Sequence, residues 1–235
     1  MPRKAVKQVA AGETLEQRRK RVAKIYDLLS QRYPDAHCTL SHKTPLELLI
    51  ATILAAQSTD KGVNLITPAL FAKYTTAEDW AQVPQEVLEP QIRATGFFRN
   101  KSRNIRGAAA AIVDRFGGKV PDTMEGLISL PGVARKTANV VLGNAFGKNE
   151  GIAVDTHAIR VSGRLGLTQH TDPVKIEKDL MEVVPRERWT HFGHLLVFHG
   201  RNCCIARRPD CEHCPVNQLC PSAFTFDGAG KEKKQ

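Results

Sequence analysis

The stretch LPGVARKTANVVLGNAFGKNEGIAVD, residues 130–155, constrains the fold more than any other part of the chain. Pro131-Gly132 breaks one helical pattern, and a second begins at once. Ala138, Val141, Leu142 and Ala145 recur at offsets of three and four, the spacing of a buried helical stripe. Lys136 precedes Ala138 by two residues, so at about 100° per residue it projects from roughly the opposite side. A turn of backbone N–H groups feeding a helix N-terminus is a ready anion site. Gly132 supplies the turn, and Arg135 and Lys136 flank it, so phosphate is the natural ligand. The same residues also fit two packed helices with a Pro-Gly corner and a solvated lysine.

The charge balance points the same way. Lys and Arg total 34 against 24 acids, giving +10 over 235 residues. Such an excess says nothing about fold but favours a polyanionic partner. A ribosomal or membrane-surface protein would share it. The longest apolar run, Leu48 to Ala56, is about half a bilayer span and is interrupted by Thr52. No basic–apolar–small-residue leader opens the chain. The expectation is a soluble cytoplasmic protein with no membrane partner, in which six cysteines mean metal or redox chemistry rather than disulfides.

Punctuation along the chain gives helices throughout. Residues 1–13 carry Arg3, Lys4 and Lys7 among small residues and read as a basic disordered arm. Thr14 with Gln17 makes a capping box, and Thr44-Pro45-Leu46-Glu47 repeats the signal with Pro at the first helical position. Asp122-Thr123-Met124-Glu125 repeats it again. Helices are expected from Thr14 to about Arg32, then near 45–57, 60–74, 84–94, 100–116, 123–130, 135–146, 156–165, 173–183 and 187–200. Gly96 and Gly117-Gly118 supply stops. Ile152-Ala153-Val154 is apolar but too short to be read as a strand, so the chain is expected to be all-α.

Three further pieces carry chemistry. At 48–64 a buried helix runs into a polar turn, Gln57-Ser58-Thr59-Asp60, which also fits a helix end followed by a cap at Asp60. At 94–105, Phe97 and Phe98 follow a turn glycine and precede the cations Arg99, Lys101, Arg103 and Arg106. An aromatic in a basic loop suits insertion into a base stack, while one of the pair is expected to be core. Last, Cys204, Cys211, Cys214 and Cys220 fall in the pattern C-x6-C-x2-C-x5-C. Four thiolates so close would repel one another unless a metal neutralises them. Chemistry alone leaves tetrahedral zinc and a four-iron cluster open. Cys38 and Cys203 stand outside the pattern, and Cys203 reads as packing.

Taken together, LPGVxRKTANVVL, VDTH at 154–157 and the 6-2-5 cysteine spacing resemble the endonuclease III family of helix-hairpin-helix DNA glycosylases, over about residues 20–222. The resemblance implies a two-lobed, all-α helix-hairpin-helix DNA glycosylase fold with a [4Fe–4S] cluster loop and a cleft between the lobes. One lobe would be residues 39–149, with the hairpin at 123–146. The other would join 14–38 to 150–222, leaving a tail at 223–235. It implies a bifunctional DNA glycosylase/AP lyase that excises oxidised pyrimidines from duplex DNA. The expected partner is double-stranded DNA carrying a damaged base or an abasic site, bound by a monomer. Lys136 would attack C1′ of the sugar, displace the base and leave a Schiff base that permits β-elimination. Asp155 would take a proton and steady positive charge on the sugar, and it also suits the N-cap of the following helix. Gln57 matches the glutamine presented to DNA and Phe97 the wedge, a position where the family often has Leu. Gly132, Ala134 and Arg135 would meet phosphate, as would Arg207 and Arg208 in the short loop between the first two cysteine ligands.

The departures from the family pattern are Ala134, where the hairpin usually has a second Gly, and the two extra tails. His157 reads as a satisfied structural histidine. Alternatives are a UV pyrimidine-dimer glycosylase/AP lyase with the same lysine, or a non-catalytic iron–sulfur DNA-binding protein needing neither Lys136 nor Asp155. An adenine-mismatch glycosylase lacks that lysine.

Overall fold

The computed structural model describes residues 12–226; apart from residues 12–13 and 223–226, the arm read at 1–13 and the tail at 223–235 lie outside it. The described residues form eleven α-helices and three 3-10 turns, with no strand. In chain order the helices are α1 Leu15–Arg32, α2 Pro45–Leu54, α3 Asp60–Lys73, α4 Ala77–Gln82, α5 Gln85–Ile92 and α6 Phe98–Phe116. Then come α7 Met124–Ile128, α8 Arg135–Ala145, α9 Thr156–Arg164, α10 Pro173–Val183 and α11 Trp189–Asn202. The all-α expectation holds, and Ile152–Val154 is neither helix nor strand.

Local chemistry explains most boundaries. The Thr14 hydroxyl accepts from Gln17 N while the Gln17 side chain accepts from Thr14 N, the reciprocal capping box. Thr44 caps α2 through Glu47 N, with Pro45 at the first position. Three readings need correction. Thr123 caps α7 through Gly126 N, so glycine stands at the third helical position and no capping box forms. The cap of α3 is Thr59, not Asp60; Asp60 is the first helical residue and takes a hydrogen bond from the Thr39 hydroxyl. Helix α4 was not expected at all, although Thr76 and Asp79 form a full capping box there. Aspartate in place of the usual Glu or Gln hid that signal.

The chain divides into two compact units, Cys38–Glu150 and the remainder, which runs up to His37 and resumes at Gly151. The continuous unit is built around α2. Leu48, Leu49, Ile50, Ala51 and Leu54 are completely buried, so this helix is apolar on nearly every side and must be enclosed. Helices α3, α6 and α8 do that, α8 through the stripe of Ala138, Val141 and Leu142. Each such leucine contributes about 1.5–3 kcal/mol relative to an exposed one. The discontinuous unit has its own core. Val22, Ile25 and Leu29 of α1 meet Val161 of α9, Ile176 and Leu180 of α10, and Phe192, Leu195 and Leu196 of α11.

Candidate active site

The hairpin is α7, the turn at Leu130–Ala134, and α8. Gly132 has φ +75°, and a Cβ built there would lie 2.6 Å from the Asn104 Cβ. Only glycine meets both demands. The Pro131 ring likewise seats on α6 at Gly107, where a Cβ would come within 3.2 Å of it. The turn is therefore moulded against α6. Ala134, the N-cap of α8, has φ −90° and ψ 167°, which is extended backbone open to any residue. Neither a positive φ nor a helical conformation occurs at this position, so alanine stands there without strain. Its methyl group cannot cap, and no side-chain hydrogen bond closes the helix. The first N–H groups of α8 thus have no intrahelical acceptors, and they lie beside exposed Arg135 and Lys136. An anion would be stabilised there by N–H groups, helix dipole and cations together.

Two turns of the same unit hold non-glycine residues in the left-handed region. Gln57, at φ +55°, follows the end of α2; Phe97, at φ +47°, precedes α6. Each conformation costs on the order of 1 kcal/mol and tends to persist where the surroundings over-determine it. Both side chains are exposed, Phe97 to 63%, whereas Phe98 packs partly against the core. Helix α2 ends at Leu54 rather than 57, which is what frees Gln57 for the turn. Lys101 corrects the reading of the basic loop. It is 4% exposed, and its Nζ donates 2.7 Å bonds to the carbonyls of Leu54 and Thr95. Burial pushes its ammonium below the ordinary lysine range. Arg99 and Arg103 remain exposed.

In the other unit, Asp155 is the N-cap of α9, its Oδ1 accepting from Ala158 N at 2.8 Å. This fixes the direction of the carboxylate. His157 Nδ1 faces a guanidinium nitrogen of Arg160 at 3.0 Å. A nitrogen that accepts from Arg160 carries no proton, and burial, followed by neighbouring cations, holds His157 below the ordinary histidine range. A structural histidine fits that geometry.

The far end of α9 grips the cysteine loop. Arg160 Nε donates to Cys204 O at 3.0 Å, and Arg164 donates to Ile205 O at 2.7 Å and Ala206 O at 2.9 Å. Arg164 also reaches the Cys204 Sγ at 3.4 Å, and the Cys220 thiol donates back to Arg164 O. Cys204, Cys211, Cys214 and Cys220 all line one pocket, of about 360 Å³ with open solvent included. Four soft thiols around a pocket walled by apolar groups such as Leu165 and Val216, with a guanidinium beside one of them, fit an iron–sulfur cluster. Cys203, read as packing, is buried and donates to Asp210 O at 3.2 Å. Its sulfur also lies within 4.8 Å of the Cys214 sulfur and a His199 ring nitrogen. Arg207 and Arg208 are exposed in the intervening loop, Arg208 at φ +55°.

Comparison with known proteins decides the family. Residues 50–186 match the model of the HhH-GPD superfamily base excision DNA repair protein, and residues 204–220 match the iron–sulfur binding domain of endonuclease III. The chain is 51% identical to endonuclease III of Synechocystis sp. over 206 residues, 88% of this chain and 94% of that protein. It is 44% identical to endonuclease III of Bacillus subtilis, over 88% and 95% of the two chains. The chain belongs to the endonuclease III family. Among solved structures, a trapped endonuclease III–DNA covalent intermediate is similar, with a TM-score of 0.84 and 45% identity over 88% of this chain and 97% of that one. A thermostable thymine-DNA glycosylase follows at 0.76 and 26% identity, over 91% and 100%.

As an endonuclease III, the protein is a DNA glycosylase and AP lyase of base excision repair, and its cofactor is a [4Fe–4S] cluster. It binds DNA, and no helix among the described residues is long and apolar enough to cross a membrane. Reading the residues alone missed Lys101 and Asn104 as braces of the exposed turns, and Arg160 and Arg164 as braces of the cysteine loop. Nothing local marks a lysine in a basic loop as buried, or two arginines one helical turn apart as a clamp.

Proposed function

We propose that this endonuclease III acts as a monomer on duplex DNA, excising oxidised pyrimidines and then cleaving the abasic strand, with Lys136 as nucleophile. The carrying observation is the open N-terminus of α8, an uncapped helix start with an exposed lysine in its first turn. A phosphate of the damaged strand received by Gly132, Ala134 and Arg135 would hold the neighbouring sugar beside Lys136. The lone pair of the Lys136 amine attacks C1′ and the base leaves with the bonding electrons, while Asp155 is assigned to take a proton and to steady positive charge on the sugar. The C1′–O4′ bond then opens as the nitrogen pair forms a C=N bond, and O4′ takes the proton shed by Nζ. The resulting Schiff base lets the C2′ proton leave, a C2′–C3′ double bond form and the 3′ phosphate depart. Water then hydrolyses the imine and releases the lysine. Gln57 and Phe97 occupy the space vacated by the extruded base. Arg207 and Arg208 meet phosphates away from the lesion. With the [4Fe–4S] cluster bound, bonds to Cys204, Cys211, Cys214 and Cys220 close their loop and hold its conformation.

Borohydride trapping tests this. Duplexes with one thymine glycol, one oxidised cytosine, one pyrimidine dimer or one abasic site are incubated with the protein and reductant. A covalent adduct on the first two and on the abasic duplex is expected. No adduct on any of them overturns the lyase mechanism, and an adduct confined to the dimer and abasic duplexes moves the substrate to UV damage.

A further inference from the structure

The two exposed turns that carry Gln57 and Phe97 share a single internal tether. Leu54 O belongs to the last residue of α2, one of the carbonyls a helix end leaves without an internal partner. Thr95 O belongs to the last residue of the 3-10 turn before Gly96 and Phe97. Both accept from one atom, Lys101 Nζ. Lys101 stands one turn inside α6, with its own N–H bonded to Phe97 O at 3.1 Å. A buried cation on a helix C-terminus is well placed electrostatically, yet one lysine bridging two separate turns does more than satisfy that end. One turn further along, the side chain of Asn104 presses on Gly132, so α6 braces the hairpin turn as well.

We propose that Lys101 is a positioning residue for base extrusion: its ammonium fixes the Gln57 and Phe97 turns to one helix, so that the two side chains enter the duplex as a unit. The inference rests on Gln57 and Phe97 being the groups that probe DNA. It differs from a purely structural role in what it predicts. A residue that only holds the fold affects every reaction of the enzyme alike. A residue that aligns the two probes matters when a base must be driven out, and much less when the base is already gone.

The test compares single-turnover base release from a thymine glycol duplex with strand cleavage of a preformed abasic duplex, in holoenzyme kept well below its unfolding midpoint. Lys101→Met keeps the length and removes the donor. It is expected to slow base release on the order of tenfold, the scale of a small misplacement, while strand cleavage changes less than about twofold. Gln57→Ala and Phe97→Ala should show the same split. Adding Phe97→Ala to Lys101→Met should cost little more, because the tether and the probe act as one. If Lys101→Met does not fold, Lys101→Arg keeps charge and donors but changes the reach, and should show a smaller split of the same sign. Equal loss of both activities, no loss of either, or effects that multiply in the double variant would overturn the proposal. If Gln57→Ala and Phe97→Ala leave the ratio of the two activities unchanged, the probe assignment itself fails and the inference falls with it.

Discussion

Helices α8 and α9 begin with nearly the same backbone and opposite chemistry. Ala134 has φ −90° and ψ 167°, and Asp155 has φ −104° and ψ −174°. At α9 the carboxylate fills the position, accepting from Ala158 N. At α8 a methyl group leaves it open, and the first turn carries Arg135 and Lys136, the charge sign that a helix N-terminus disfavours by about 0.3–1 kcal/mol. The two starts use one dipole in two ways. One is closed by its own carboxylate; the other has no side-chain cap and carries two cations in its first turn.

The largest effect expected from breaking this comparison is at the lysine. Lys136→Gln should abolish borohydride trapping and base release, with DNA affinity within a few-fold of the parent. A surviving adduct would place the nucleophile elsewhere. Asp155→Asn should lower turnover by about 10²–10⁴. Its unfolding free energy should stay near the parent value, because asparagine also caps, whereas Asp155→Ala should cost about 1 kcal/mol. Activity retained in Asp155→Asn would reduce the residue to a cap.

Ala134→Asp makes the two helix starts alike, and here stability and function should move in opposite directions. The new cap should raise unfolding free energy by about 0.5–1 kcal/mol. DNA binding should weaken at least tenfold (about 1.4 kcal/mol), since the carboxylate competes with phosphate for the same N–H groups. Tighter binding in that variant would show that phosphate does not sit there. The smallest effect is remote from both starts. Arg207→Gln with Arg208→Gln should reduce the salt slope of DNA binding by about one to two units without altering lesion preference. An unchanged slope puts that loop outside the DNA footprint.

Much of the helical framework was legible because its signals are local. The stripe of Ala138, Val141 and Leu142 is buried and Lys136 exposed, as 3.6-residue periodicity requires. Thr14, Thr44 and Asp155 cap because an N-cap oxygen bonds N–H groups only two or three residues on. The ligand set reads as a pattern because four thiols must sit around one metal centre. The left-handed φ of Gln57 and Phe97 was not legible, since it has no signature in composition.

What the tertiary structure alone decided is where long side chains go. Lys101 stands among Arg99 and Arg103 with no local mark to distinguish it, yet it is buried because Leu54 O, 47 residues away, comes within reach of its Nζ. Arg160 and Arg164 look like ordinary helical cations until the loop at Cys204–Ala206, more than forty residues on, folds back to offer carbonyls. The second core joins α1 to helices that follow Gly151, a pairing no nearby periodicity records. Sequence fixes conformation within a few residues because backbone hydrogen bonds and caps close over that distance. The partner of a long cation is set by which distant carbonyl the packed chain brings to it, and that exists only once the chain has folded.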